Sequence, residues 1–154
     1  MARAPFQVLV FPYRMKASHA EFAIFRRADS GAWQGIAGGG EDHETALEAA
    51  RRESTEEAGF PSGLEFVQLS TTSSIPVTSF PESTAWGDQV FIVPEHSFGL
   101  DAQEYRIHLS SEHMESVWVD YDDAIRLLTY DGNKTALWEL NQRIHGLGPR
   151  EPVP

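Results

Sequence analysis

The segment from Gly38 to Phe60, GGGEDHETALEAARRESTEEAGF, constrains the fold more than any other part of this sequence. Thr45 is followed three residues later by Glu48, a capping-box pattern that predicts a helix beginning near Thr45. Gly59, two residues before Pro61, predicts the end of that helix, because glycine accepts the left-handed conformation that closes a helix. The segment therefore predicts a glycine-rich loop that leads directly into one helix.

One face of this helix is strongly acidic. Glu53, Glu56 and Glu57 are spaced so that their side chains meet within about one third of the helix circumference. Like charges at this spacing destabilise a helix, whereas carboxylate oxygens are the ligands that Mg²⁺ prefers. The spacing therefore allows a metal site, and the glycines would let the backbone approach the same ligand. On spacing alone the alternative is a solvated helix, with Arg52 and Glu56 as an ordinary surface ion pair.

The charge balance restricts the partners. The chain carries 12 basic and 23 acidic side chains in 154 residues, a formal charge of −11. Nucleic acids and anionic membranes need a positive surface, so we expect neither as a partner.

No segment approaches the roughly 18 apolar residues of a membrane-spanning helix, no secretory signal pattern is present, and cysteine is absent. We therefore expect a cytoplasmic protein. From Glu53 to Tyr105 there is no Lys or Arg, so an anionic substrate would need a bound cation or backbone N–H groups there.

Strands and helices alternate irregularly, which favours an α/β fold with a mixed sheet and helices against its faces. We expect one domain over residues 1–146 and a flexible C-terminal tail over residues 147–154. The face of the acidic helix predicted to pack on the sheet consists of Leu47, Ala50, Ser54 and Ala58. Predicted strands cover residues 6–13, 21–27, 64–74, 86–96 and 115–120, and a short strand enters the glycine loop at 33–40. Predicted helices cover residues 120–128 and 132–146. Residues 75–84 are predicted to form a loop, and residues 99–113 are irregular or contain an edge strand.

The order and spacing of the charged and glycine residues in the opening segment resemble the Nudix box. Ser54 is the one departure, because the family usually has a bulky aliphatic residue there, and it predicts looser packing or a compensating neighbour. The resemblance implies the Nudix α/β/α sandwich and Mg²⁺-dependent hydrolysis of a nucleoside diphosphate linked to another group. The matching residues are Gly38, Glu44, Arg52, Glu53, Glu56, Glu57, Gly59 and Phe60.

The resemblance also implies roles for these residues. Glu53 and Glu57 would be the main metal ligands, Glu56 would join them or position water, and the carbonyl of Gly38 would add a further ligand. The cation would be Mg²⁺, with Mn²⁺ as a substitute. The pair formed by Glu44 and Arg52 would have a structural role, tying the loop to the helix.

Similarity to the Nudix branch that contains dihydroneopterin triphosphate pyrophosphohydrolase extends beyond the box, in RRADSGAWQGIAGGGE and SSEHMESVWVDYDDA. It implies that Glu112 is a further metal ligand and the second candidate for the catalytic base after Glu56. Glu104 and Glu115 are weaker candidates, and His113 is expected beside Glu112. The expected substrate-binding residues are Arg26 for phosphate, Trp33 for stacking, and Gly39 and Asn133 near the ligand.

The expected reaction converts a nucleoside or pterin triphosphate to the monophosphate and pyrophosphate. One alternative is a hydrolase of dinucleoside polyphosphates, and another is a catalytically silent Nudix-like sensor that binds a nucleotide. Retention of the three box glutamates argues against the sensor. Phe80, Trp86 and Tyr105 are further stacking candidates, although most aromatic side chains serve the core. The oligomeric state stays open, with a homodimer as one option.

Overall fold

The computed structural model of the protein describes residues 2–146, so the tail predicted over residues 147–154 lies outside the described part. Two short 3₁₀ helices, Val77–Ser79 and Pro81–Trp86, follow the fifth strand. None of the helices within residues 2–146 has the length and apolar character needed to cross a membrane. In chain order the other elements are β1 (Arg3–Lys16), β2 (His19–Arg27), β3 (Trp33–Gln34), β4 (Ile36–Glu41), α1 (Ala46–Ala58), β5 (Phe66–Pro76), β6 (Ile92–Asp101), β7 (His113–Val119), α2 (Tyr121–Leu127) and α3 (Asp131–Ile144).

Strand β1 organises one seven-stranded mixed sheet. Its N-terminal half pairs antiparallel with β4 and its C-terminal half pairs antiparallel with β2. Strand β6 runs parallel to β1 along its other edge, and β5 pairs antiparallel with β6. Strands β3 and β7 both pair with β2. The sheet therefore brings β4, β1, β6 and β5 side by side, and this part of the sheet carries the candidate site.

The core lies on both faces of the sheet because β1 is apolar on both of its sides. Val8 and Val10 join the cluster packed with α1, whereas Leu9 and Phe11 join the cluster packed with α2 and α3. Each fully buried side chain of this size contributes about 1.5 to 3 kcal/mol. Helices on both faces of a mixed sheet form an α/β/α sandwich, which confirms the predicted fold class.

Helix α1 begins and ends where the sequence predicted. Thr45 Oγ1 accepts a hydrogen bond from the backbone N–H of Glu48 at 3.1 Å, and the Glu48 carboxylate accepts from the Thr45 N–H at 2.9 Å. Gly59 closes the helix in the left-handed conformation, with φ of 77°. These local contacts set the register of every carboxylate on the helix.

The packing face of α1 consists of small side chains, which let the helix lie close to the sheet. Ala50, Ser54 and Ala58 are buried, as predicted. The prediction for Leu47 was wrong, because its side chain is 38% exposed and the neighbouring Ala49 is buried instead.

Three predicted segments differ from the structure. The loop predicted over residues 75–84 instead contains the end of β5 and most of two 3₁₀ helices. The strand predicted over residues 86–96 was wrong at its start, since β6 begins at Ile92 and continues to Asp101. Trp86 ends a 3₁₀ helix and Gly87 follows with φ of 87°, so the high β-propensity of tryptophan was overridden by a turn that only glycine accepts easily. The glycine-rich loop was also wrong, because the glycines of the opening segment lie within β4 and pair with β1.

Candidate active site

The glycines of β4 leave space for side chains that lie directly against the strand. A Cβ atom on Gly38 would lie 2.1 Å from the carboxyl carbon of Glu53. A Cβ atom on Gly39 would lie 1.6 Å from Nε of Arg3. Non-bonded carbon contacts are about 3.5 Å or longer, so any other residue would displace these groups. The Glu53 carboxylate is therefore held against the backbone of Gly38.

Arg52 ties α1 to the end of β4. Its guanidinium donates to both carboxylate oxygens of Glu44, at 2.8 and 2.9 Å, and to the carbonyl oxygen of Gly39 at 2.8 Å. It also donates to Glu53 at 2.9 Å and to Glu56 at 3.2 Å. The hydrogen bonds from Arg52 hold the pKa of Glu44 below its ordinary value. The expected pair of Glu44 and Arg52 is thus present, and it fixes the strand on the helix.

Glu53 is buried between α1 and β4. Its side chain is only 10% exposed. Burial raises the pKa of Glu53 to about 7, although the Arg52 guanidinium opposes this rise. A buried carboxylate in this position is stabilised by any further cation that reaches it.

Glu57 meets Glu112 at the other end of the acidic face. The loop before β7 is anchored to α1, because the N–H of His108 donates to the carbonyl of Ala58 at 2.8 Å and the N–H of Ser110 donates to that of Glu57 at 3.1 Å. Glu112 follows this anchored segment directly. A stretch that the sequence left irregular therefore delivers a carboxylate to the helix.

The two carboxyl groups change each other's protonation. Burial works against the charged form of Glu57, but the neighbouring His113 side chain and a hydrogen bond from Glu112 lower its pKa. Burial and that same hydrogen bond raise the pKa of Glu112. His113 was expected beside Glu112. It is buried, and its Nδ1 lies 3.2 Å from the Glu57 carboxylate.

A cavity of about 750 Å³ opens beside this acidic face, between β4, β5, β6 and the first turn of α3. Asn133 lines it and is held by the backbone N–H of Gly35, which donates to its side-chain oxygen at 3.0 Å. Four other expected site residues line the same cavity: Gly38, Gly39, Glu53 and Glu112.

Four other expected site residues are not part of the lining: Arg26, Trp33, Glu56 and Glu57. Arg26 is outside the lining because successive side chains of a strand point to opposite faces of the sheet. Arg26 forms an ion pair with Glu115 at 3.3 Å, while Arg27 lines the cavity, with its guanidinium 3.9 Å from Glu112. The cavity therefore has an arginine beside Glu112, but it is the neighbour of the one expected.

Most of the aromatic residues that were candidates for stacking on the substrate lie outside the cavity. Trp33 packs against the core under α2 and α3, where its backbone N–H donates to Thr129 at 2.9 Å. The indole N–H of Trp86 donates to the carbonyl of Arg3 at 2.8 Å, and Tyr105 lines a separate shallow depression. Phe80 lines the cavity, so it is the one of these four candidates with access to a ligand.

Sequence reasoning missed a polar row on the cavity floor. Gly39 lies opposite Gln7, Gln7 lies opposite Glu95, and Glu95 lies opposite Ser73 across four adjacent strands. All four residues line the cavity. The available signal was a glutamate inside the apolar stretch FIVPEHSFGL, an uncommon place for a charge.

The chemistry of the donor set fits a hard divalent cation, although the donors are not gathered into one cluster. Glu53 lies against Gly38, and Glu57 lies against Glu112, so the oxygen donors form two neighbouring groups. No group of three acidic or histidine side chains within residues 2–146 already has metal-binding geometry. A cation would have to draw the donors together, partly in place of the contact between Arg52 and Glu53.

Comparison with known proteins agrees with this architecture. The family profile described as NUDIX domain matches residues 5–138. A solved structure from Listeria monocytogenes, described as a NUDIX hydrolase, is 41% identical, covers 93% of this chain and 96% of its own, and superposes with a TM-score of 0.83. The dihydroneopterin triphosphate pyrophosphohydrolase of E. coli is 23% identical over 93% of this chain and 99% of its own, with a TM-score of 0.75. An Ap4A hydrolase of C. elegans is 18% identical over 92% of this chain and 98% of its own, with a TM-score of 0.71. A comparison with curated proteins gives no match.

Fold and site together define an enzyme that hydrolyses phosphoric anhydride bonds. The chain belongs to the Nudix family. Members of this family generally use divalent metal ions, in accord with the oxygen-rich donor set described above.

Proposed function

We propose that this protein is a Mg²⁺-dependent pyrophosphohydrolase that cleaves a nucleoside or pterin triphosphate to the monophosphate and pyrophosphate. The observation that carries this proposal is one cavity whose wall combines the Glu53 and Glu112 carboxylates with the backbone of Gly38 and the guanidinium of Arg27. Anionic donors for a cation and a positive group for phosphate are thereby adjacent. In the reaction, water adds to a phosphorus atom, the bridging P–O bond breaks, and pyrophosphate leaves.

Four residues would hold the cation: Glu53, Glu57 and Glu112 through their carboxylates, and Gly38 through its carbonyl. When bound, a divalent ion of this kind screens phosphate charge and makes water a better nucleophile at neutral pH. Glu56 is a weaker candidate, because its side chain is 56% exposed and its carboxylate is bound by Arg52. Mn²⁺ has similar ligand preferences and is expected to substitute for Mg²⁺.

The remaining roles belong to side chains of the cavity wall. Arg27 binds a phosphate oxygen, since it is the basic residue beside Glu112. Glu112 orients the attacking water and accepts its proton, in preference to Glu56, because Glu112 lines the cavity and Glu56 does not. Arg52 holds the end of β4 against α1 through Glu44 and the carbonyl of Gly39, which keeps Gly38 beside the Glu53 side chain. We also propose that residues 1–146 act as one domain and that the ligand is a small nucleotide or pterin phosphate in the cytoplasm.

The test is a substrate screen with Mg²⁺ in which pyrophosphate, orthophosphate and nucleotide products are read separately. The proposal predicts pyrophosphate and a monophosphate from a triphosphate, and loss of turnover when EDTA removes the metal. ATP and AMP from diadenosine tetraphosphate, without cleavage of triphosphates, would replace the proposal with a dinucleotide hydrolase. Nucleotide binding without turnover at any Mg²⁺ or Mn²⁺ concentration would replace it with a nucleotide sensor.

A further inference from the structure

Glu95 is a buried carboxyl group on the floor of the cavity that the proposed chemistry does not use. The residue is 6% exposed and lines the cavity from β6. No salt bridge reaches it from any described residue. Arg3 lines the same cavity, but it donates to Gln7 at 2.6 Å and contacts Glu82 at 3.7 Å. A buried carboxylate is costly unless hydrogen-bond donors or a cation compensate for its lost hydration. The cavity is the direction from which such donors can arrive.

The position of Glu95 separates it from the phosphate end of the site. Gly39, Gln7 and Glu95 are opposite one another on three adjacent strands, so Glu95 lies two strand spacings, or about 10 Å, from the β4 backbone. That separation suits the path from the α-phosphate through a sugar or side chain to the ring of a nucleotide or pterin. Phe80 and Tyr130 also line the cavity, so the same space offers aromatic surface to a flat ring.

We propose that Glu95 selects the ring of the substrate: its carboxylate accepts two hydrogen bonds from the adjacent ring N–H and exocyclic amino group of a guanine or pterin. This inference rests on the proposed function, because it identifies the ring carried by the triphosphate. Guanine and pterin present two neighbouring donors that match the two oxygens of one carboxylate. Adenine and cytosine present one donor beside one acceptor, so an ionised carboxylate faces a lone pair and rejects them.

The protonation state of Glu95 depends on what fills the cavity beside it. Burial raises the pKa of Glu95 to about 7, and the neighbouring Gln7 amide opposes the rise. Two N–H donors from a ligand would counteract the effect of burial and favour the charged form, which is the form that accepts both hydrogen bonds. Gln7 is itself held by Arg3, so the floor presents a fixed acceptor at the centre of a polar row.

The test measures binding of monophosphates, which does not depend on turnover. We expect wild-type protein to bind dGMP about tenfold to a hundredfold more tightly than dAMP by isothermal titration calorimetry. Deoxyinosine monophosphate keeps the ring N–H but lacks the exocyclic amino group, so its affinity should lie between the two. Glu95→Gln offers one donor and one acceptor, so it should lose the preference for dGMP and bind dAMP equally well or better. Neopterin monophosphate should behave like dGMP.

The matched control is Glu65→Gln, which makes the same chemical change at an exposed position outside the cavity and should keep the wild-type preference. The comparison of dGMP, dIMP and dAMP on wild-type protein tests the inference even if Glu95→Gln does not fold. Equal binding of dGMP and dAMP by wild-type protein, or an unchanged preference in folded Glu95→Gln, would overturn it. Absence of Mg²⁺-dependent turnover would instead contradict the proposed function, and the binding comparison would still decide the role of Glu95.

Discussion

Replacing Gly38 with alanine adds one methyl group at the point where strand and acidic helix meet. The new Cβ atom would lie 2.1 Å from the carboxyl carbon of Glu53 and 2.3 and 2.5 Å from its two oxygens. Non-bonded atoms of this kind lie about 3.5 Å apart or more, so the Glu53 carboxylate has to move by about 1 Å or more. The Glu53 side chain ends in rotatable bonds, and it can turn away without moving the backbone.

The expected effect is therefore large on activity and small on stability. A displacement of about 1 Å in a positioned catalytic group costs on the order of a hundredfold in rate, which corresponds to about 2.7 kcal/mol of transition-state stabilisation. Gly38 does not adopt a positive φ, so alanine introduces no backbone strain there. We expect the unfolding free energy of Gly38→Ala to stay within about 1 kcal/mol of wild type.

The assay combines turnover as a function of Mg²⁺ concentration with thermal unfolding. Gly63→Ala is the matched control, because a Cβ atom on Gly63 would meet no described atom within 4 Å, and it should change neither quantity. If Gly38→Ala kept wild-type turnover and wild-type Mg²⁺ dependence, Glu53 would not act from the position described. Unfolding of Gly38→Ala would show that the Glu53 side chain cannot turn away, and it would equally contradict the reasoning.

Three further outcomes are expected. Glu57→Gln should lose at least about a hundredfold in turnover because it removes a proposed metal ligand, and circular dichroism should show that it stays folded. Near-normal Mg²⁺-dependent activity would contradict the assignment of Glu57 as a ligand. Glu139→Gln should lower the unfolding free energy by about 1 to 3 kcal/mol in urea titrations, because its carboxylate accepts from the backbone N–H groups of Ser70 and Thr71. The pKa of Glu139 is lowered from 4.5 to about 2, so this difference should be complete above about pH 5 and vanish as the pH falls towards 2; a difference that grew in acid would refute it.

The acidic helix was predictable because its determinants are local. The capping box at Thr45, the left-handed Gly59 and the spacing of the glutamates all act within one helix, and each is present in the structure. The role of the glycines was only half predictable. They permit close approach to the backbone, as expected, but they do so from inside a strand, because the neighbouring β1 offers hydrogen-bond partners that the local sequence does not reveal.

Residues outside the helix were harder to assign, because their placement depends on which face of a strand meets the cavity. Arg26 and Arg27 are adjacent residues of the same type, and only the pairing of β2 decides which of them lines the site. Glu95 shows the same limit. A single charge in an apolar strand becomes informative only when its neighbours across the sheet are known, and those neighbours are far away in sequence.

The most direct measurement is a crystal of the protein grown with Mn²⁺ and a non-hydrolysable triphosphate, examined by anomalous diffraction at the manganese edge. We expect an anomalous peak bound by the Glu53, Glu57 and Glu112 carboxylates, with phosphate oxygens completing its coordination. Phosphates bound in the cavity with no metal between them and these carboxylates would contradict the central claim.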